Sequence, residues 1–566
     1  MFSKELTAIW DPFVSWALGV AMRWLVSLPL LVLAFTESRA ARAQDVLDRV
    51  EPTRLEDRTE DQAANEVDLT ADFEDTNVDL APGDKAVFVG AIEIVGLTAL
   101  RNSEFADIVQ GYIGRSLVSA EIAALTDALA GRARKRFPLA TAWVEPQDVR
   151  GGILRVQLDE GRVDAIELAG FRNERLEKLL GRLVTGRPAT AGELEGALLL
   201  AGDVKGISIG KTSVRRKDSR NTLVVEGSYS RFRGQQSVDN DTIEPIGPLG
   251  TFGSFQANGL LSHDDSLQAY FLAALPEPEE LGFVRLRYAK RIGNADTEMS
   301  LAGSYSRSVP GSYLAPLAIV SESWWAALGI SQPLMRSVRR SLWLEGSFSW
   351  REVDQRRANT ASRLDRLSVA RLRLLGSTAL AGGVLHASGA LSQGLDMLDA
   401  TPGGSTMASR PDADGTFTSL LLAASWSGQI AGALGARAAV RSQLASGPLL
   451  LSEEIGLGGA SFARGYDYSE RSGDRGTMGY LEVNYDFKRV GPVQGLKPYA
   501  FLDGGRVTNL RGGLGGGSLF SAGGGIRLDV DRRTDAAIEV ATPLSGNRFE
   551  TGDESFRFRG SLTRYF

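Results

Sequence analysis

Few residues of this chain are equipped for covalent chemistry. It contains no cysteine and only two histidines, His263 and His386. Thiolate nucleophiles, disulfides, zinc–thiolate sites and iron–sulfur clusters are thereby excluded, and a histidine triad or metal cage has too few members. His263 beside Asp264 and Asp265 has the makings of a solvated turn. Ser208-Ile-Gly-Lys211 keeps the Ser-x-x-Lys spacing of acylating enzymes but falls in an expected strand without their companion motifs. The glycine runs 512–517 and 523–525 are not followed by Gly-Lys-Ser/Thr, so they read as turns between strands rather than phosphate loops. No catalytic group, metal site or cofactor site is expected, and the chain is not read as an enzyme.

Two motifs remain. Gly458-Gly-Ala-Ser-Phe-Ala-Arg464-Gly465-Tyr466 is followed 503 − 464 = 39 residues later by Asp503, within Phe501-Leu-Asp503-Gly-Gly505. A period of two puts Phe501, Asp503 and Gly505 on one strand face, with Ala500 and Leu502 on the other. A carboxylate turned into a closed interior needs a partner, and a planar guanidinium can bind it with two hydrogen bonds.

The elements that must position these residues are strands. From 229 to 566 the chain alternates. Leu481, Val483, Tyr485 and Phe487 interleave with Glu482, Asn484 and Asp486, and Val284, Leu286 and Tyr288 interleave with Arg285 and Arg287. Met299, Leu301 and Tyr305 stand against Ser300, Ser304 and Ser306. Leu342, Leu344, Phe348 and Trp350 follow the same rule, which Trp343 breaks. Alternation suits a strand with lipid on one face and a hydrated lumen on the other, although a soluble sheet alternates too. Charges that recur on the polar face, the extent of the pattern and the lack of a covering helical layer favour the membrane. Strands in lipid must pair completely and therefore close. At about 20 residues per strand and connection, the region holds roughly 16 strands of an antiparallel transmembrane β-barrel. In the last strand Phe556, Phe558, Leu562 and Phe566 share a face against Arg557, Arg559, Ser561 and Thr563.

Upstream, residues 25–35 are mostly apolar, preceded by Arg23 and followed by Ala41-Arg42-Ala43. This is the pattern of an export signal over 1–43, with Gln44 as the first mature residue and Met1 or Met22 as the start. Residues 44–84 are acidic and poor in aromatics, a linker or a plug segment, and whether 45–66 form a pore-plugging helix stays open. Then one small pattern occurs twice. A β-branched strand ends at Gly96, Phe105, Ile108, Val109 and Tyr112 mark a helix face, and Ile122, Leu125 and Leu129 mark a second with Ser119 as its N-cap. Strands at 141–146 and 152–158 close the order β-α-α-β-β. Ala91-Ile-Glu-Ile-Val-Gly96 returns as Ala165-Ile-Glu-Leu-Ala-Gly170, 165 − 91 = 74 residues on. Leu176, Leu179, Leu180 and Leu183 give the first helix of this copy. Thr190-Ala-Gly-Glu193 is a capping box for the second, which Gly202 stops. Strands at 207–214 and 223–227 complete it. Two α+β domains are therefore expected, at 85–160 and 161–228.

The pair of β-α-α-β-β units behind an export signal resembles the two POTRA domains of two-partner secretion outer-membrane transporters, the hemolysin and filamentous-adhesin secretion/activation proteins of the Omp85 superfamily. Val238-Asp239-Asn240 resembles that family's Asp-Asn motif at the start of its barrel. Arg464-Gly465-Tyr466 resembles its (V/I)RGY signature, with Ala463 in place of Val or Ile, and Gly473-Asp474-Arg475-Gly476 also resembles this branch. Phe501-Leu-Asp503-Gly-Gly505 resembles its F-x-D-x-G motif, and the terminal Phe566 is similar to a barrel-assembly signal.

The resemblance implies a barrel in the outer membrane with both POTRA domains in the periplasm. It also implies that Arg464, at the tip of the sixth extracellular loop, bridges to Asp503 and pins that loop inside the barrel, with Gly465 and Gly505 permitting close approach. The partners so implied are a large unfolded exoprotein to be secreted, outer-membrane lipid, and the barrel-assembly machinery for insertion. A factor that inserts other outer-membrane proteins is the alternative. The net charge, 63 − 69 = −6, speaks against a nucleic-acid partner.

Overall fold

The computed structural model describes residues 71–73, 86–147, 149–217, 220–293 and 296–566. The export signal over 1–43 and the plug helix considered for 45–66 lie outside them.

Two small α+β units precede a barrel, and their sheets are wired alike. In the first, Ala91–Val95 runs parallel to Ile153–Asp159, which runs antiparallel to Thr141–Trp143. In the second, Ala165–Ala169 runs parallel to Arg220–Tyr229, which runs antiparallel to Ile207–Lys217. Each sheet buries its apolar face against two helices. Phe105, Leu125 and Leu129 face Leu154, Val156 and Leu158 in the first unit, and Leu176, Leu180 and Leu198 face Leu223 and Val225 in the second. The strand–turn shared by the repeats ends on a glycine in both, with φ +97° at Gly96 and +90° at Gly170. At Gly96 a Cβ would stand 2.7 Å from the Leu158 carbonyl oxygen, so the turn admits no side chain.

The helix Ala191–Gly202 starts as its sequence indicates. Thr190 Oγ1 accepts from the Glu193 amide at 3.3 Å, and the Glu193 carboxylate accepts from the Thr190 amide at 3.0 Å. The helix Ser119–Arg134 differs. Ser119 is its first residue rather than its cap, and Glu121 accepts from the amide of the capping Val118 at 3.1 Å. Within the acidic stretch, Ala71–Phe73 adds a parallel strand to the second unit at Thr212–Val214.

Two residues separate the second unit's last strand from the barrel, so Tyr229 ends that unit and Phe232 opens the barrel. Its first five strands are β1 (Phe232–Asp239), β2 (Leu249–Asn258), β3 (Asp265–Leu275), β4 (Leu281–Ile292) and β5 (Thr297–Ser308). Next come β6 (Ile319–Arg336), β7 (Arg340–Arg357), β8 (Thr360–Leu380), β9 (Gly383–Gly394), β10 (Thr418–Ala431) and β11 (Leu434–Ala445). The last are β12 (Arg475–Tyr485), β13 (Gly495–Thr508), β14 (Gly517–Asp531), β15 (Thr534–Pro543) and β16 (Arg557–Tyr565). Each strand pairs antiparallel with the next, and β16 returns to β1, which closes the barrel at sixteen strands.

The alternation sorts side chains between two media. Val284 and Leu286 on β4 are 44% and 51% exposed on the outer wall, while Arg285 between them is 8% exposed. On β12, Leu481 and Val483 face out and Glu482 is buried. Trp343, the exception in β7, lies opposite Pro333 beside a bulge between Pro333 and Met335. An outward apolar band and an inward polar face are what a lipid bilayer demands of a closed barrel.

The second unit is docked on the turns at one end of the barrel. Arg336 holds both Asp203 carboxylate oxygens, at 2.7 and 2.8 Å, and Arg175 and Arg182 both reach Asp296. The connections at the opposite end include the long loops, and the sixth of these, 446–474, joins β11 to β12.

Candidate functional site

This sixth loop folds back into the barrel. A short hairpin, Ile455–Leu457 with Arg471–Gly473, forms its stalk, and 458–470 form its tip. Gly458 turns the chain at φ +115°, where a Cβ would stand 2.3 Å from the Asp467 carbonyl oxygen. Ala463 takes φ +55°. A β-branched residue adopts that left-handed conformation at greater cost, which gives alanine a local advantage at this position.

Arg464 is 4% exposed and Asp503, on β13, 3% exposed. Arg464 Nε donates to Asp503 Oδ2 at 2.9 Å, and the Arg464 amide donates to the same oxygen at 3.1 Å. Nη1 donates to Glu482 on β12 at 3.2 Å and to Glu539 on β15 at 3.1 Å. The guanidinium lies over the Phe501 ring, 3.4 Å from its centroid, an arrangement that stabilises a desolvated cation. Glu482 is shared with Arg527 at 2.6 Å, and Glu539 with Arg559 at 3.0 Å. Three carboxylates thus meet three guanidiniums, and the buried charges compensate one another, as burial requires.

The neighbours of Arg464 tighten the contact. The Gly465 amide donates to Ser521 Oγ at 3.0 Å, and the Ser521 hydroxyl donates to Asp503. A Cβ on Gly465 would lie 2.8 Å from Ser521 Cβ and 2.9 Å from the Pro543 nitrogen. Tyr466 is fully buried, and its hydroxyl meets Ser545 and Gly546 of the connection 544–556 at 3.0 and 3.2 Å. Arg557 donates to the Tyr466 carbonyl. Gly505 serves a different approach. A Cβ there would be 2.5 Å from Met478 Cβ, so it makes room for the neighbouring strand rather than for the loop.

The structure therefore brings Arg464, Gly465, Phe501 and Asp503 into one cluster, with Tyr466 beside it and Gly505 on β13 opposite Met478 of β12. Phe566 lies apart, just past β16, where its amide donates to the Gly234 carbonyl across the closing pair of strands at 2.9 Å. Sequence reasoning misses Glu482, Glu539, Ser521 and Arg557. The one trace they leave is their place on the polar face of an alternating strand.

A family model for the haemolysin secretion/activation proteins ShlB/FhaC/HecB matches residues 221–528, and a model for the ShlB-type POTRA domain matches 87–161. The outer membrane transporter CdiB of Dickeya dadantii is 22% identical over 395 residues, which cover 66% of this chain and 68% of that protein. Among solved structures, CdiB from Escherichia coli superposes with a TM-score of 0.65 at 17% identity, covering 87% of this chain and 92% of its own. CdiB from Acinetobacter baumannii gives 0.57 at 17% identity, over 90% and 96%. BamA from Haemophilus ducreyi lacking POTRA domains 1-3 gives 0.50 at 12% identity, over 85% and 100%. At these identities the superpositions speak of fold alone.

Proposed function

We infer how this chain works from its family: it belongs to the haemolysin secretion/activation proteins and is an outer-membrane transporter of the two-partner secretion type. Its barrel lies in the outer membrane and its POTRA domain in the periplasm. The family implies a secreted partner protein.

In the finer reading, the second α+β unit is a second POTRA domain, given its identical strand pairing. The domains divide as 85–160, 161–229 and, for the barrel, 232–566, behind a signal at 1–43 and a linker or plug at 44–84. The POTRA pair takes up the partner unfolded, by addition of a strand to an exposed sheet edge. The barrel conducts the chain, and folding outside gives the movement its direction without nucleotide hydrolysis. Outer-membrane lipid contacts the apolar band, and Phe566 helps the barrel-assembly machinery insert the protein. Arg464 and Asp503, with Gly465, Tyr466, Phe501 and Gly505, form the loop-to-barrel lock, conformational elements and not catalysts. The observation that carries this reading is the buried Arg464–Asp503 pair between a loop tip and the barrel wall. The insertion-factor alternative has behind it only the fold-level likeness to BamA.

The test is Arg464→Ala with the partner co-expressed. Secretion is expected to fall while heat-modifiable barrel remains at wild-type amounts, and unchanged secretion counts against the lock.

A further inference from the structure

The sixth loop is held at two places by two different arginines. Arg410, in the fifth loop (395–417), is 6% exposed. Its Nη1 donates to Glu454 at 2.8 Å, to Asp474 at 2.7 Å and to Asn509 at 3.3 Å. Nε and Nη2 donate to Asp412 at 3.2 and 3.1 Å, and Nη2 also donates to the Leu510 carbonyl at 3.1 Å. Glu454 directly precedes the first stalk strand and Asp474 directly follows the second. One guanidinium therefore grips both legs of the stalk and ties them to the seventh loop (509–516).

We propose that Arg410 is a positioning residue for export: it clamps the stalk of the sixth loop to the fifth and seventh, so that only the tip, 458–470, moves when Arg464 leaves Asp503. The proposal rests on the reading of Arg464 as a lock.

Three observations separate stalk from tip. Asp474 is fully buried and also accepts from the Leu449 and Leu510 amides at 2.7 and 2.6 Å, so it fastens three loops at one point. Beside it Leu449 and Leu450 pack with Ala408, Ala413 and Phe417 of the fifth loop and with Leu367 and Val369 of β8. The tip shares one buried apolar cluster with Ile455 and Leu457 of the stalk, through Phe462, Ala463 and Tyr466, but its charged fastenings lie elsewhere. Arg464 reaches β12, β13 and β15, and Asp467 pairs with Arg548 of the eighth loop (544–556) at 2.8 Å. The tip begins, directly after the stalk strand, with Gly458 and Gly459 at φ +115° and +103°, where glycine gives the chain its freedom to bend. Removing a buried cation that compensates several carboxylates leaves their charge uncompensated and destabilises what they hold.

A chain without cysteine permits unambiguous reporters. Ser469→Cys reports on the tip and Ser472→Cys on the stalk, both serines being buried, with a membrane-impermeant maleimide applied to intact cells. Arg464→Ala is expected to raise labelling of Ser469→Cys about tenfold or more while Ser472→Cys stays protected, whereas Arg410→Met raises both. An inserted Arg410→Met barrel with Ser472→Cys still protected overturns the proposal. Exposure of both reporters by Arg464→Ala overturns the clamp alone, and exposure of neither overturns the lock reading and the clamp with it. If Arg410→Met fails to insert, Glu454→Gln carries the test: increased labelling of Ser472→Cys supports the clamp, and unchanged labelling overturns it.

Discussion

The charge on Arg464 is matched by side chains drawn from three strands, so loss of any member leaves a buried charge undercompensated. Asp503→Asn turns an acceptor that faces Arg464 Nε into a mixed group and leaves the guanidinium undercompensated. Breaking a buried pair from one side costs about 3–5 kcal/mol, and each 1.4 kcal/mol is about tenfold in an equilibrium constant. The locked state should lose roughly a hundredfold or more in population, read as an increased open-channel probability in planar bilayers, and an unchanged probability contradicts the account. The two ends of the bridge were legible because Arg464 and Asp503 stand in compact motifs. Glu482 and Glu539 were not. Their proximity to Arg464 follows from register, Glu482 opposite Phe501 and Glu539 opposite Gly525, and register across strands is not written in any local stretch.

Secondary elements were legible wherever a period was strong. The lipid-facing alternation of β4 and β12 and the capping box at Thr190 appear in the sequence as they stand in the structure. A serine ahead of an apolar face looks like a cap, which is why Ser119 reads as one, while the actual cap is Val118 with Glu121 accepting from its amide. The sequence counts Tyr229 with the barrel because the alternation of the second unit's last strand runs straight into that of β1. One element carries a pH prediction. Glu160, buried at the end of the first unit's sheet, accepts from the amides of Thr98, Ala99 and Leu100. Burial pushes its carboxyl upward, but the Thr98 hydroxyl and these amides outweigh burial and hold it below the ordinary value of 4.5. A depressed folded-state value gives stability that is complete above the unfolded value and is lost as pH falls through the folded one. Glu160→Gln should therefore destabilise the first unit by about 1–3 kcal/mol at neutral pH. The difference from wild type should vanish as pH falls below 4.5. Hydrogen exchange of the Leu100 amide measures both, and equal protection of variant and wild type at neutral pH refutes the assignment.

The molecule as a whole depends on closure. Ladder pairing of β1 with β16 runs from Gln235↔Tyr565 to Asp239↔Ser561, and Asn240 extends it with its amide, which donates to the Gly560 carbonyl, and with its side chain. Its Nδ2 donates to the Phe558 carbonyl at 3.0 Å, and its Oδ1 accepts from the Gly560 amide at 2.8 Å. Asn240→Ala should cost about 1–3 kcal/mol and lower the temperature at which the barrel loses its compact form in detergent gels; an unshifted temperature contradicts this role. Closure follows from alternation and from the demand that lipid leave no backbone group unpaired, the strand number from about 20 residues per strand and connection, and the periplasmic side of the POTRA domains from the family resemblance alone. The return of the sixth loop into the lumen follows from the resemblance and not from alternation, and its further contacts to Glu482 and Glu539 are long-range charges between segments of unrelated sequence.

The central claim is that this loop tip leaves the barrel wall when the partner passes. The direct measurement is the labelling rate of Ser469→Cys in living cells, with and without the partner protein, in an otherwise wild-type transporter. Labelling that rises only during export is the predicted result. Export of the partner with Ser469→Cys as protected as in its absence would contradict the account.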